Sequence, residues 1–130
     1  MSQNRETGAE ANRYGREFGE KIAAALGAQK VRKGSNECLL NGERVVIKCR
    51  QRGPVQSVGV TYLMLERLAG VLGAFEEADG CYSIVRLPAE RFRAAMTPTR
   101  SRGPSAGRVG VVKRRVFEAH GKRITTLRLK

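Results

Sequence analysis

This chain of 130 residues has no tryptophan, one histidine and three cysteines, Cys38, Cys49 and Cys81. The cysteines are odd in number and lack CxxC spacing, so with a single histidine they compose neither a zinc site nor a disulfide framework. They are expected as reduced, mostly buried thiols. His120 stands beside Gly121 in an expected turn with no partner at recognisable spacing, which leaves no Ser/His/Asp set. The chain has no run of 18 apolar residues, and its opening MSQNRETGAEANRYG has no apolar core. Neither a membrane span nor a signal peptide is therefore expected, and the protein is read as soluble and cytoplasmic. Acids are also scarce, 12 against 25 Lys and Arg.

That imbalance leaves a net charge of +13, and it is unevenly spread. Residues 91–130 hold twelve basic side chains and one acidic, whereas residues 61–90 hold two and five. A surface of this kind attracts polyanions, and a phosphate backbone needs more spread-out charge than a small acidic substrate does. An anionic membrane would also be attracted, but no basic amphipathic helix or lipidation signal accompanies the charge. The three tyrosines and four phenylalanines are not interleaved with the basic run, so stacking on single-stranded bases is not supported. Duplex DNA is the expected partner, and an RNA- or ribosome-associated role is the alternative.

With 41% hydrophobic residues the chain has enough material for one core. Residues 1–12 are expected to be flexible. Residues 11–28 read as a helix with Tyr14, Phe18, Ile22, Ala25 and Leu26 on one stripe. Residues 61–72 read as a second helix, with Thr61, Leu65, Leu68, Ala69 and Leu72 on one side and a strand starting at Val71 as the alternative. This helix is apolar enough that a homodimer contact rivals burial between layers. Residues 81–87 read as a strand, and Pro88 opens a short helix. Residues 97–107, TPTRSRGPSAG, read as a mobile Arg-rich loop, and residues 108–130 as a basic β-hairpin packed on a 13–96 core. The fold class is thus α+β: a central mixed sheet of hairpins, two main flanking helices and a basic C-terminal hairpin.

The most specific local signal is SNECLLNGERVVIKCRQR, residues 35–52. Asn41-Gly42 between two apolar runs predicts a type I′ hairpin. In that register Glu37 faces Val46, which places Glu37 and Lys48 diagonally on one face and Cys38 and Cys49 on the other. By itself this is an ordinary cross-strand ion pair worth about 0.2–1 kcal/mol.

A helix, a hairpin with an acid on its first strand and hydrophobic-x-Lys on its second, then a helix and a strand, resembles the core of the restriction-endonuclease-like (PD-(D/E)XK) nuclease superfamily. The resemblance implies that Glu37 and Lys48 occupy catalytic positions. Val46 stands where the family pattern carries a second acid, so the implied relative binds nucleic acid without cutting it. The alternative is an active Mg²⁺-dependent endonuclease, of the Holliday-junction kind for example. Glu66 would then supply the missing carboxylate, and Glu37 and Glu66 would hold the metal. No cofactor is otherwise expected. Glu17 and Glu20 of the first helix are poorer substitutes. Phosphate contacts are expected from Arg50 and Arg52 at the end of the hairpin, and from Arg100, Arg102, Arg108, Lys113, Arg114, Arg115, Lys122 and Arg123 in the tail.

Overall fold

The computed structural model describes residues 2–31, 35–54, 56–98 and 108–129, with side chains from Tyr14 onward. A long helix, α1 (Ser2–Leu26), is followed by β1 (Gln29–Lys30) and the hairpin β2 (Glu37–Leu40) and β3 (Glu43–Arg50). Asn41 has φ 53° and Gly42 φ 81°, the positive pair that a type I′ turn requires. Its register is the expected one, Glu37 opposite Val46 and Leu40 opposite Glu43. Next come β4 (Ser57–Thr61), α2 (Tyr62–Leu65), β5 (Gly70–Ala78) and β6 (Cys81–Pro88). The chain continues through α3 (Ala89–Ala95), β7 (Thr97–Pro98), β8 (Val109–Lys113), α4 (Arg114–His120) and β9 (Lys122–Arg128).

Among the described residues, six strands form the central mixed sheet in the order β1-β2-β3-β5-β6-β9, and three form a second sheet, β4-β8-β7. Among the described residues only β3 and β5 run parallel, because β4 and α2 lie between them and carry the chain back before β5 begins. The run Val45-Val46-Ile47 is apolar without alternation because β3 is covered on both faces. One face packs Val45, Ile47, Cys49, Leu72 and Ile84 against Ile22 and Ala23 of α1. The other packs Val46, Val71, Phe75 and Leu87 against Val58, Val60 and Val112 of the second sheet, with Leu65, Phe92 and Phe117 from the short helices. The architecture is α+β, as its sequence pattern implies.

Four expectations are corrected. The first helix begins at Ser2, inside the stretch read as flexible, since no proline interrupts Ser2–Leu26. The helix expected over 61–72 is one turn long. Thr61 Oγ1 caps it by accepting from the Met64 N–H at 3.2 Å, and Glu66 ends it. Leu65 and Leu68 then pack on one face of the sheet and Leu72 on the other, so residues 61–72 present no single apolar helical stripe; Leu63, 73% exposed, remains on the surface. Gly73 decides the strand: a Cβ there would lie 2.5 Å from the Phe75 ring and 3.1 Å from Phe117.

The third correction is the C-terminal hairpin. β8 pairs with β4 and β7, β9 pairs with β6, and α4 joins them across layers. VGVVKRRVF has strand-forming composition throughout, but Phe117 gains more by entering the core, edge-to-face with Phe75 at 5.3 Å and Phe92 at 6.3 Å. Gly121 makes the exit from α4 fit, because a Cβ would come 2.5 Å from Phe117 O and 2.8 Å from Arg86 O. Fourth, Thr97 and Pro98 form a strand. The rest of the expected mobile loop, 99–107, lies outside the described residues.

Phe117 should therefore contribute like a core residue of the whole fold. Phe117→Ala is expected to lower unfolding free energy by about 3–5 kcal/mol, read from urea denaturation. A loss below about 1 kcal/mol would show that α4 is peripheral.

Candidate functional site

Strand alternation places Glu37 on β2 and Arg44, Val46, Lys48 and Arg50 on β3 on the face turned away from α1. The two residues singled out for catalysis are diagonal neighbours, yet they do not pair. Glu37 is 0% exposed, and Arg67, two residues beyond α2, grips it with a two-pronged fork. Arg67 Nε donates to Oε2 at 2.8 Å and Nη2 donates to Oε1 at 2.9 Å. Arg44 Nε lies 3.0 Å from Oε2, close enough to add charge. The bond to Glu37 holds the Arg67 guanidinium above its ordinary pKa. Ser35 Oγ accepts the Glu37 backbone N–H at 3.1 Å and fixes the start of the strand.

This arrangement does not fit Mg²⁺. A divalent ion needs carboxylate oxygens that are open to it, whereas both oxygens of Glu37 face arginine nitrogens. Val46 is buried and apolar, and Glu66 is exposed at the end of α2, where its backbone N–H bonds to Tyr62 O. Among the described residues, no group of three or more His, Cys, Asp or Glu could hold a metal ion. Reading the sequence for a partner of Glu37 stopped at Glu66 and missed Arg67. The available signal was the burial that an apolar hairpin imposes on an acid, which calls for a cation.

Lys48 is half-buried and makes no hydrogen bond or ion pair with the described residues. Burial, and then the neighbouring Arg50, push its pKa below 10.5. Arg50 is a brace: Nε donates to Ser57 O of β4, and Nη1 donates to Cys49 O at 2.8 Å. Cys49 itself is buried, which pushes its thiol up to about 12, and burial also raises Cys38. These thiols are unreactive core groups, as expected, while Cys81 is half-exposed.

The remaining basic residues separate by burial. Arg114, expected on the nucleic-acid surface, is an internal link. It donates to Gln56 Oε1 at 2.6 Å, pairs with Glu77, approaches Glu118 Oε1 at 2.6 Å and stacks 5.0 Å over the Phe75 ring. Arg52, Arg108, Lys113, Arg115, Lys122, Arg123 and Arg128 are exposed and have no carboxylate partner among the described residues. Lys122 and Arg123 join Arg86 around a cavity of about 520 Å³ between the end of α1 and the start of β9. Lys113 and Arg115 edge a second one of about 280 Å³ with Pro54 and Gln56. Arg100 and Arg102 lie outside the described residues. No family model, no curated protein and no solved structure matches this chain.

The state of Lys48 sets a pH dependence. With its native pKa below the unfolded value, the native state binds fewer protons than the unfolded chain between those two values, so this residue's penalty is full at neutral pH and fades as pH rises toward 10.5. Lys48→Met is expected to raise the urea midpoint at pH 7, with the gain shrinking at alkaline pH. A lower midpoint at pH 7 would mean that the ammonium has a stabilising partner.

Proposed function

We propose that this protein binds nucleic acid, duplex DNA in particular, through its phosphate backbone, on a core whose nuclease-like positions no longer cut. The observation that carries this reading is the group of exposed Lys and Arg side chains without acidic partners among the described residues, Arg52, Arg108, Lys113, Arg115, Lys122, Arg123 and Arg128 among them, in a chain of net charge +13. Unneutralised surface cations repel one another and are relieved by releasing the counterions of a polyphosphate. Lys122, Arg123 and Arg128 project from β9 at the edge of the central sheet, where they also discourage strand-on-strand association. Lys48 would meet a phosphate as a point charge without leaving another partner. Glu37 would take no part in phosphate chemistry, because its carboxylate is held by Arg67 and Arg44. A reducing, cytoplasmic setting accords with three free cysteines.

Binding should weaken steeply as salt rises, measured by fluorescence anisotropy on a duplex. Replacing both Lys122 and Arg123 with Ala should flatten the slope of log affinity against log salt by about 2, near 0.9 per lost phosphate contact. A response independent of salt would overturn the proposal. In the same series, preferential competition by structured RNA would move the target to RNA. Plasmid incubated with Mg²⁺ or Mn²⁺ should stay intact; cleavage by the wild type and not by Lys48→Ala would restore the enzymatic reading.

A further inference from the structure

A cavity of opposite character lies at the other end of the sheet. It has a volume of about 420 Å³, and its wall includes Tyr14 and Phe18 of α1, Tyr82 of β6, Glu76 of β5, Asp79 of the β5–β6 turn, and Gln51. Three of the chain's seven Tyr and Phe residues meet here. The Tyr14 and Phe18 ring centroids are 4.6 Å apart, those of Phe18 and Tyr82 5.7 Å, and the hydroxyls of Tyr14 and Tyr82 hydrogen-bond to each other.

The carboxylate of Glu76 is aimed by neutral donors: the Arg52 backbone N–H reaches Oε1 at 3.1 Å, and that of Gly80 reaches Oε2 at 3.2 Å. Neither Glu76 nor Asp79 pairs with a lysine or arginine among the described residues, although basic residues outnumber acids 25 to 12. Burial, then the neighbouring phenol and then Glu76 raise the pKa of Tyr14, so its phenol stays protonated and uncharged. Two aromatic faces and two uncompensated carboxylates repel anions and attract a flat or rounded organic cation. The chain already uses one of these rings in this way, with Lys21 Nζ 4.9 Å from the Phe18 centroid.

We propose that this cavity binds an organic cation, a guanidinium or alkylammonium group, against the rings of Tyr14 and Phe18 with Glu76 and Asp79 as its counter-charges. Ligand binding here does not depend on nucleic-acid binding, although Arg52, whose backbone N–H bonds to Glu76, borders the site. A cation adhering nonspecifically to a polycation is disfavoured, so saturable binding would report this cavity.

The chain has no tryptophan, and two of its three tyrosines, Tyr14 and Tyr82, line the site, so tyrosine emission from the full-length protein reports on it. Agmatine, as a free guanidinium, and an uncharged-flank tripeptide with a central arginine are the two probes. At low salt at least one is expected to give a saturable 1:1 change, and which one tells a free ligand from an arginine on a polypeptide. The Glu76→Gln/Asp79→Asn variant should bind at least ten-fold more weakly, and Asp79→Asn alone, which leaves the Glu76 hydrogen bonds intact, several-fold more weakly. No saturable change with either probe, or undiminished affinity in Asp79→Asn and in the double variant, would overturn the proposal.

Discussion

A carboxylate removed from water must be matched by cations, and in this fold Glu37 is matched by Arg67 and Arg44. The three residues belong to β2, to the segment after α2 and to β3, so one buried acid ties the hairpin to the crossover. Backbone bonds follow the same path: the Ala69 N–H reaches Arg44 O at 2.8 Å, and the Ala89 N–H reaches Ala69 O at 3.0 Å. The crossover is thereby pinned one residue before β5 starts, which sets β5 parallel to β3 with Val45 opposite Gly70. Both arginines keep over a third of their side-chain surface in water, at 37% and 38%, so only the carboxylate bears the full cost of dehydration. An oxygen pair used in this way is withdrawn from metal chemistry.

The same logic of burial sorts the other charges. Arg50 and Arg114 are drawn inward, one bracing β3 to β4 and the other linking Gln56, Glu77 and Glu118 over the Phe75 ring. Their charge is spent on internal partners. Lys122, Arg123 and Arg128 remain outside on an edge strand, and Lys113 and Arg115 flank a shallow cavity. Charge counted along the chain thus overstates the charge on the surface, and burial separates the cations held by internal partners from those left exposed. Tyr14, Phe18 and Tyr82, three of the chain's seven Tyr and Phe residues, gather with Glu76 and Asp79 around a cavity at another end of the sheet.

Much of this was legible in local sequence. Asn41-Gly42 announces its turn because few other dipeptides accept two positive φ angles, and the hairpin register followed from it. β6 and the helix after Pro88 were equally plain. What failed depended on distant partners. The leucines after Thr61 satisfy a helical period, but Gly73 is required to make room for Phe117, forty-odd positions later in the chain. VFEAH reads as strand until Phe117 has Phe75 and Phe92 to pack on. For the site, the shared face of Glu37 and Lys48 was readable, whereas the grip of Arg67 on Glu37 spans 30 residues and needs the crossover to exist first.

The role of Glu37 as a structural clamp is tested most directly by titrating Mn²⁺ into isotopically labelled protein and following the backbone amide signals of Glu37, Val46 and Lys48. A clamped carboxylate predicts that these signals keep their intensity relative to the rest of the chain. Selective paramagnetic broadening centred on Glu37 would contradict it and return the hairpin to metal-dependent chemistry.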